Sequence, residues 1–282
     1  MDSTTMKKRF DRIPTLPTLP QVALKVNELI HEPNVSVRIL SDIIMKDQAI
    51  VTNILKLVNS SFYGFPSKID SVSRAILVLG FETLRNAILS VSATQTLSKV
   101  NGHEDFSITD FWRHSIAVAV TCRRLSIRIP LEVPETCFVA GLLHDMGKVI
   151  IASFFNEEFQ QVITLCRSGI HYLEAERSVL PLSHARIGGY LAEKWRLPEN
   201  LRNAIIYHHN PKEGVAGSNL AILVHAADII VNRIMNGSET SAIIAVPADK
   251  LKIIKDLIES APTWFGEIQE ELESACEFFK IN

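Results

Sequence analysis

Cysteine is scarce in this chain: four in 282 residues, Cys122, Cys137, Cys166 and Cys276, widely spaced and without a CxxC pair. That scarcity leaves no disulfide framework to read and predicts reduced thiols serving as small core side chains. An excess of one charge is absent too. Lys plus Arg total 29 against 31 Asp plus Glu, a net charge of -2, so no extended field gathers nucleic acid or an anionic membrane, and neither is an expected partner. Long apolar runs are missing: no segment offers roughly 18 uninterrupted apolar residues, and the opening MDSTTMKKRFDRIPTLPTLP lacks the apolar stretch of a secretory signal. A soluble, cytoplasmic protein is the expectation. Fixed-period repeats, low-complexity tracts and sustained β-branched alternation are lacking as well, which removes solenoid and sheet architectures from consideration.

What is present is helical periodicity. After a proline-punctuated entry (Pro14, Pro17, Pro20), apolar residues recur at three- and four-residue steps, as Val22, Leu24, Val26, Leu29 and Ile30 do in QVALKVNELI. The pattern predicts further helices over about 36–45, 48–59, 70–77, 80–99, 109–128, 134–155, 156–168, 171–179, 182–195, 198–209, 218–236, 247–260 and 264–280. Ser36, Asp70 and Ser183 are placed to cap helix starts, and Pro198 and Pro247 sit where a missing N–H is harmless. The expected fold is all-α, an N-terminal helical lobe packed on a helical core. SKVNGHED (98–105) marks a joint and NPKEGVAGSN (210–219) a surface loop, giving an N-terminal lobe 1–105, a core 106–236 and C-terminal helices 237–282.

One apolar stretch, AGLLHDMGKVI (140–150), carries His144 and Asp145 side by side with Lys148 one turn on. An isolated buried His or Asp costs several kcal/mol unless it is paired or bound to metal. Candidate partners lie on other predicted helices: His114, His184, His208, His209 and Asp228, with Asp110 one turn before His114. Consecutive residues on a helix diverge by about 100°, so His144 and Asp145, and likewise His208 and His209, are able to divide between two metals or to bridge them. Mixed imidazole and carboxylate ligands suit Fe, Mn, Zn or Ni. Two ions about 3.5 to 4 Å apart would activate a bridging water and hold a phosphoryl group, with Lys148 steadying its charge. Each residue also has a plainer reading: a satisfied core histidine, a helix cap for Asp110, a snorkelling side chain for Lys148. His225 is a structural residue or a partner of Asp228, Arg123 and Arg124 read as a solvated face, and His31, His103 and His171 read as surface residues.

His114, then His144-Asp145, then Asp228 resemble the H…HD…D signature of the HD superfamily of metal-dependent phosphohydrolases. HDMGK is similar to the HDxGK segment of the HD-GYP cyclic-dinucleotide phosphodiesterases, and His184, His208, His209 and Asp110 fall where that group places further ligands. The N-terminal half resembles the HDOD family of bacterial signalling output domains, on PTLPTLP, the NSxxYG pattern of NSSFYG (Asn59, Ser60, Tyr63, Gly64) and the AIxxLG pattern of AILVLG, from about residue 13 to 212. Asn59 and its neighbours read as a C-cap and turn. Many HDOD members have lost several of the ligands, which this chain retains. It departs from HD-GYP after His208-His209, where HHNPKEGVAGSN has neither the Glu nor the GYP, and this argues against cyclic di-GMP as substrate.

The resemblance implies a signal-transduction protein with one or two transition ions, iron first and manganese or another metal next. If it turns over, the reaction is hydrolysis of a phosphomonoester or phosphodiester, with Asp145 as ligand and proton acceptor and Lys148 on the phosphate. The other class it supports is a non-catalytic interaction module with a structural or sensory metal. A phosphate-containing small molecule and a signalling protein are the expected partners.

Overall fold

The computed structural model of the chain describes residues 2–30, 32–60, 65, 67–237 and 248–281. Among these residues the structure is helical throughout, with no strand. The N-terminal part comprises α1 (Ser3–Asp11), α2 (Gln21–Leu29), α3 (Val37–Ile44), α4 (Gln48–Val58), α5 (Val72–Leu79) and α6 (Phe81–Leu97). The core follows with α7 (Ile108–Arg128), α8 (Pro134–Leu143), α9 (Met146–Phe154), α10 (Asn156–Arg167), α11 (Tyr172–Val179), α12 (His184–Lys194), α13 (Glu199–Tyr207) and α14 (Ser218–Asn236). Two more helices, α15 (Ala248–Trp264) and α16 (Gln269–Phe279), joined by a 3-10 turn, complete it.

Local chemistry explains the starts. The side chains of Ser36, Asp47, Ser71, Ser107 and Ser183 each accept a first-turn N–H, satisfying donors that have no partner inside the helix. The cap of α5 is Ser71 where Asp70 was expected, and Pro198 stands at the start of α13 as predicted. His31, Tyr63, Gly64 and Pro247 lie outside the described residues. Asn59 is the C-cap of α4, and its amide closes the following loop by donating to the Ile69 carbonyl and accepting from the Ile69 N–H, both at 2.7 Å.

One helix was not expected. α1 starts on an Asp2 cap that accepts the Thr5 N–H at 2.9 Å and buries Met6 and Phe10, four residues apart on one face. It packs on the core: Phe10 meets Tyr190 of α12 at 5.9 Å, Asp11 pairs with Lys194 at 3.1 Å, and Arg9 pairs with Glu158 of α10. Just after it, the Pro17 carbonyl accepts the indole N–H of Trp195 at 2.8 Å.

A single apolar cluster runs through both parts. α6 is buried along every residue from Leu84 to Thr94 because it lies between the N-terminal helices and α8, where the Asn86 amide donates to Thr136 at 3.1 Å. On the other side of α7, Arg123 pairs with Glu271 at 2.5 Å and Arg124 with Glu267 at 2.6 Å. These two arginines therefore dock the C-terminal helices onto α7; they are not the solvated face that the sequence suggested. The stretches Pro134–Phe154 and Ser218–Met235 are long and apolar enough to cross a bilayer, and most of each is buried inside the protein. Their apolarity is used by the core.

Candidate metal centre

The predicted helix over 134–155 breaks at His144 and Asp145, where α8 ends and α9 begins. Two glycines make this corner dense. A Cβ on Gly141 would lie 2.7 Å from the Ala119 Cα of α7, and one on Gly147 would lie 1.9 Å from the His184 carbonyl oxygen of α12. Two of the helices that bring histidines here, α7 and α12, thus approach the His-Asp pair backbone to backbone. His114 enters from α7, His184 from the first position of α12, His208 and His209 from the end of α13, and Asp228 from α14.

These side chains converge into two groups whose ligand atoms lie within 4.8 Å of one another: Asp145, His184, His208 and His209, and then His114, His144 and Asp228. Asp145 joins them. Its Oδ1 stands 3.1 Å from His184 Nε2 and 3.6 Å from His208 Nε2, and its Oδ2 stands 3.2 Å from His144 Nε2 and 3.8 Å from His114 Nε2. His114 Nε2 is 3.2 Å from Asp228 Oδ1. His208 and His209, free by position to divide between two metals, sit in one group with rings 3.9 Å apart. His209 follows the C-cap, so helical divergence does not separate it from His208. Asp110 belongs to neither group: it is exposed in the first turn of α7, and its N–H is capped by Ser107 at 3.1 Å.

The imidazoles are aimed by their far nitrogens. Nδ1 of His144 lies 2.7 Å from the Gly141 carbonyl, and Nδ1 of His208 lies 2.7 Å from that of Ile205. Each Nδ1–H donates there, leaving Nε2 as the inward electron pair. His184 is held by Glu176, a fully buried residue of α11 that the sequence reading missed: both carboxylate oxygens lie 2.9 Å from Nδ1, and one accepts the His184 backbone N–H at 2.8 Å. Asn232 donates to Asp228 at 2.7 Å.

Burial opposes charge throughout, and the neighbours decide the outcome. Burial is outweighed at His144 by Asp145, and at His184 by Glu176 and Asp145, raising His184 to about 9. His208 and His209 are pushed well below the usual imidazole range by burial together with the neighbouring histidines, and stay neutral. Asp145 and Asp228 are held well below the carboxylate range despite burial, by His144 and Lys148 in one case and His114 and His144 in the other. Both oxygens of Asp145 already face imidazoles.

Two buried polar atoms, His144 Nε2 and Asp145 Oδ1, have no hydrogen-bond partner. Three Nε2 atoms crowd together as well, His184 lying 3.0 Å from His209 and 3.4 Å from His208. Lone pairs aimed at a common centre, with orphans among them, fit a cation in each group. Lys148 pairs with Asp145 at 2.5 Å and lies 4.9 Å over the Tyr172 ring. It borders a cavity of about 220 Å³ lined also by His114, His171, Tyr172, His209 and Asp228. His171 is exposed, as expected, and also lines this cavity. His225 is buried on α14 with neither ring nitrogen bonded, and His103 is half-buried against Phe159 at 5.4 Å. A larger cleft of about 680 Å³ lies by Thr15–Gln21 and Lys99, lined by none of these imidazoles and carboxylates.

Comparison with known proteins agrees with this architecture. An uncharacterized protein of Treponema pallidum (strain Nichols) is 30% identical over 210 residues, 71% of this chain and 39% of its own length. Ribonuclease Y of Lawsonia intracellularis (strain PHE/MN1-00) is 33% identical over 118 residues, 42% of this chain and 17% of that protein. The chain therefore spans well under half the length of these relatives. The crystal structure of an HDOD domain protein of unknown function from Geobacter sulfurreducens is 28% identical, covers 93% of this chain and 85% of its own, and superposes with a TM-score of 0.70. The model of the HDOD domain matches residues 16–211, and the chain belongs to the HDOD domain family.

Proposed function

We propose that this HDOD protein is a metal-dependent phosphohydrolase in a signalling pathway, acting on a phosphomonoester or phosphodiester. The observation that carries the reading is the convergence of His114, His144, His184, His208, His209 and Asp228 around the two oxygens of Asp145. The donor set suits a transition ion, and the resemblance to the HD-GYP group puts iron first and manganese next. Bound there, the metal supplies Lewis acidity and a more acidic water.

The protein's own groups do the rest. Asp145 bridges the two halves through its separate oxygens. Lys148, whose cationic form Asp145 favours against the cost of burial, meets negative charge at the cavity wall. Tyr172, pushed well above its ordinary value by burial, remains protonated beside it, with a buried and unpartnered hydroxyl. The cavity is smaller than the roughly 300–1,000 Å³ of sites that enclose a whole drug-sized ligand, which favours end-on entry of a phosphoryl group. The likeness to ribonuclease Y, over 42% of this chain, supports phosphoester chemistry.

A second reading, a structural or sensory metal in a module that binds a signalling protein, is favoured by one observation: the donors come from α7, α9, α12, α13 and α14 and the end of α8, so an ion there would staple most of the core. Metal content and the hydrolysis of p-nitrophenyl phosphate and bis(p-nitrophenyl) phosphate, with and without chelator, separate the two. Chelator-sensitive turnover supports the enzyme. Bound metal without turnover, and a melting temperature that drops on chelation, supports the module.

A further inference from the structure

The two donor groups are not equivalent. One offers three imidazole nitrogens and one carboxylate oxygen, from His184, His208, His209 and Asp145. The other offers two nitrogens and two oxygens, once the second oxygen of Asp145 is counted with His114, His144 and Asp228. In the first half His184 and His208 are fully buried and the half-buried His209 alone meets the cavity, whereas in the second His114, with 19% of its side chain exposed, and Asp228 both line it.

Their backing differs as well. Behind His184 stands the ionisable Glu176, with both oxygens 2.9 Å from Nδ1. Behind His144 stands only the neutral Gly141 carbonyl, and beside Asp228 the neutral Asn232 amide. A carboxylate behind an imidazole fixes the ring and strengthens it as a ligand. Imidazole suits iron, nickel, copper and zinc, and carboxylate suits manganese and magnesium.

Resting on the metal-centre reading above, we infer that the centre is asymmetric. The half built from His184, His208, His209 and Asp145 retains a nitrogen-preferring ion such as Fe²⁺, Co²⁺ or Zn²⁺. The half built from His114, His144 and Asp228, richer in carboxylate and with two of its members on the cavity against one of the other half, exchanges its ion and accepts Mn²⁺. Glu176 is the positioning residue that sets the gap between them.

Titration of chelator-stripped protein with Co²⁺, followed by d–d absorption and by metal content, tests this with the metal alone as probe. Two phases are expected, the first at least about tenfold tighter than the second, and Mn²⁺ added in excess displaces Co²⁺ from the second only. Glu176→Gln should weaken the first phase by roughly 10- to 100-fold and spare the second. His209→Gln, at a half-buried position, should do the same and decides the matter alone if Glu176→Gln does not fold. Asp228→Asn should remove the second phase and keep the first. Two equal phases, or loss of the tight phase in Asp228→Asn with its survival in His209→Gln, would overturn the asymmetry and leave the metal centre standing. No Co²⁺ uptake by the unaltered protein would overturn both.

Discussion

Glu176 and His184 form one buried unit in which a single carboxylate holds the imidazole Nδ1 at 2.9 Å and the backbone N–H of the same residue at 2.8 Å. The carboxylate therefore fixes both the ring and the first turn of α12 that carries it.

Truncation of that carboxylate should be costly even without metal. Glu176→Ala strands the His184 N–H and an imidazolium, and breaking a buried pair from one side costs about 3 to 5 kcal/mol. Urea unfolding of metal-free protein should show the midpoint falling with an unchanged slope. A midpoint within error of the unaltered protein would contradict the role.

Metal-free protein should be most stable near pH 6.5. His184, raised to about 9, contributes stability that is complete below the ordinary imidazole value of about 6.5 and is lost as pH rises through about 9. His208 and His209 are lowered, so their effect has the opposite sign: stability is lost as pH falls below about 6.5, where the unfolded chain takes up protons that the folded site refuses. Each group contributes a slope of about 1.4 kcal/mol per pH unit in its window. Urea midpoints from pH 5 to 10 read the curve, and a steady rise to pH 10 would refute it.

Metal loading should release protons. His184 and His144 are raised in the metal-free site and must give up a proton to bind. Apparent affinity should climb with pH below about 9, by about tenfold per unit for each proton released. A weakly buffered titration with an indicator dye checks the count, and loading without proton release would refute it.

Gly147→Ala should disrupt the centre with no change of ligand. The added Cβ meets the His184 carbonyl oxygen at 1.9 Å and the Gly188 nitrogen at 2.7 Å, both backbone atoms, so α9 and α12 must separate. Overpacking of this kind costs about 1 to 3 kcal/mol or more, and metal retention after dialysis should fall with it. Retention equal to that of the unaltered protein would show that the corner yields elsewhere.

Lys148→Met should separate binding from turnover. Bound metal would take over the neutralisation of Asp145, so metal content should hold, while hydrolysis falls by roughly 10²- to 10³-fold, as for loss of one group that stabilises developing charge. Loss of metal in this variant would instead make Lys148 part of the scaffold.

Helix positions were legible because each amphipathic stretch carries its own three- and four-residue period, and the clustering of these side chains because His-Asp inside an apolar run demands partners. Three features depended on distant chain. The break at His144–Asp145 is invisible to periodicity, since the flanking residues stay apolar and in phase; contact with α7 and α12 places it. Glu176, eight residues before His184, reads as an ordinary acid on a short helix until the intervening turn folds it back. α1 was hidden by the prolines behind it and by a basic run, and only its Asp2 cap and the Met6–Phe10 pair announced it.

That first helix has a consequence for how the chain is made. Its seats lie on α10 and α12, with 149 residues between Arg9 and Glu158 and 178 between Pro17 and Trp195. During synthesis α1 leaves the ribosome well before these seats do, so its apolar face waits for them across a large loop to close. The interval leaves the apolar face of Met6 and Phe10 uncovered while the intervening chain is made.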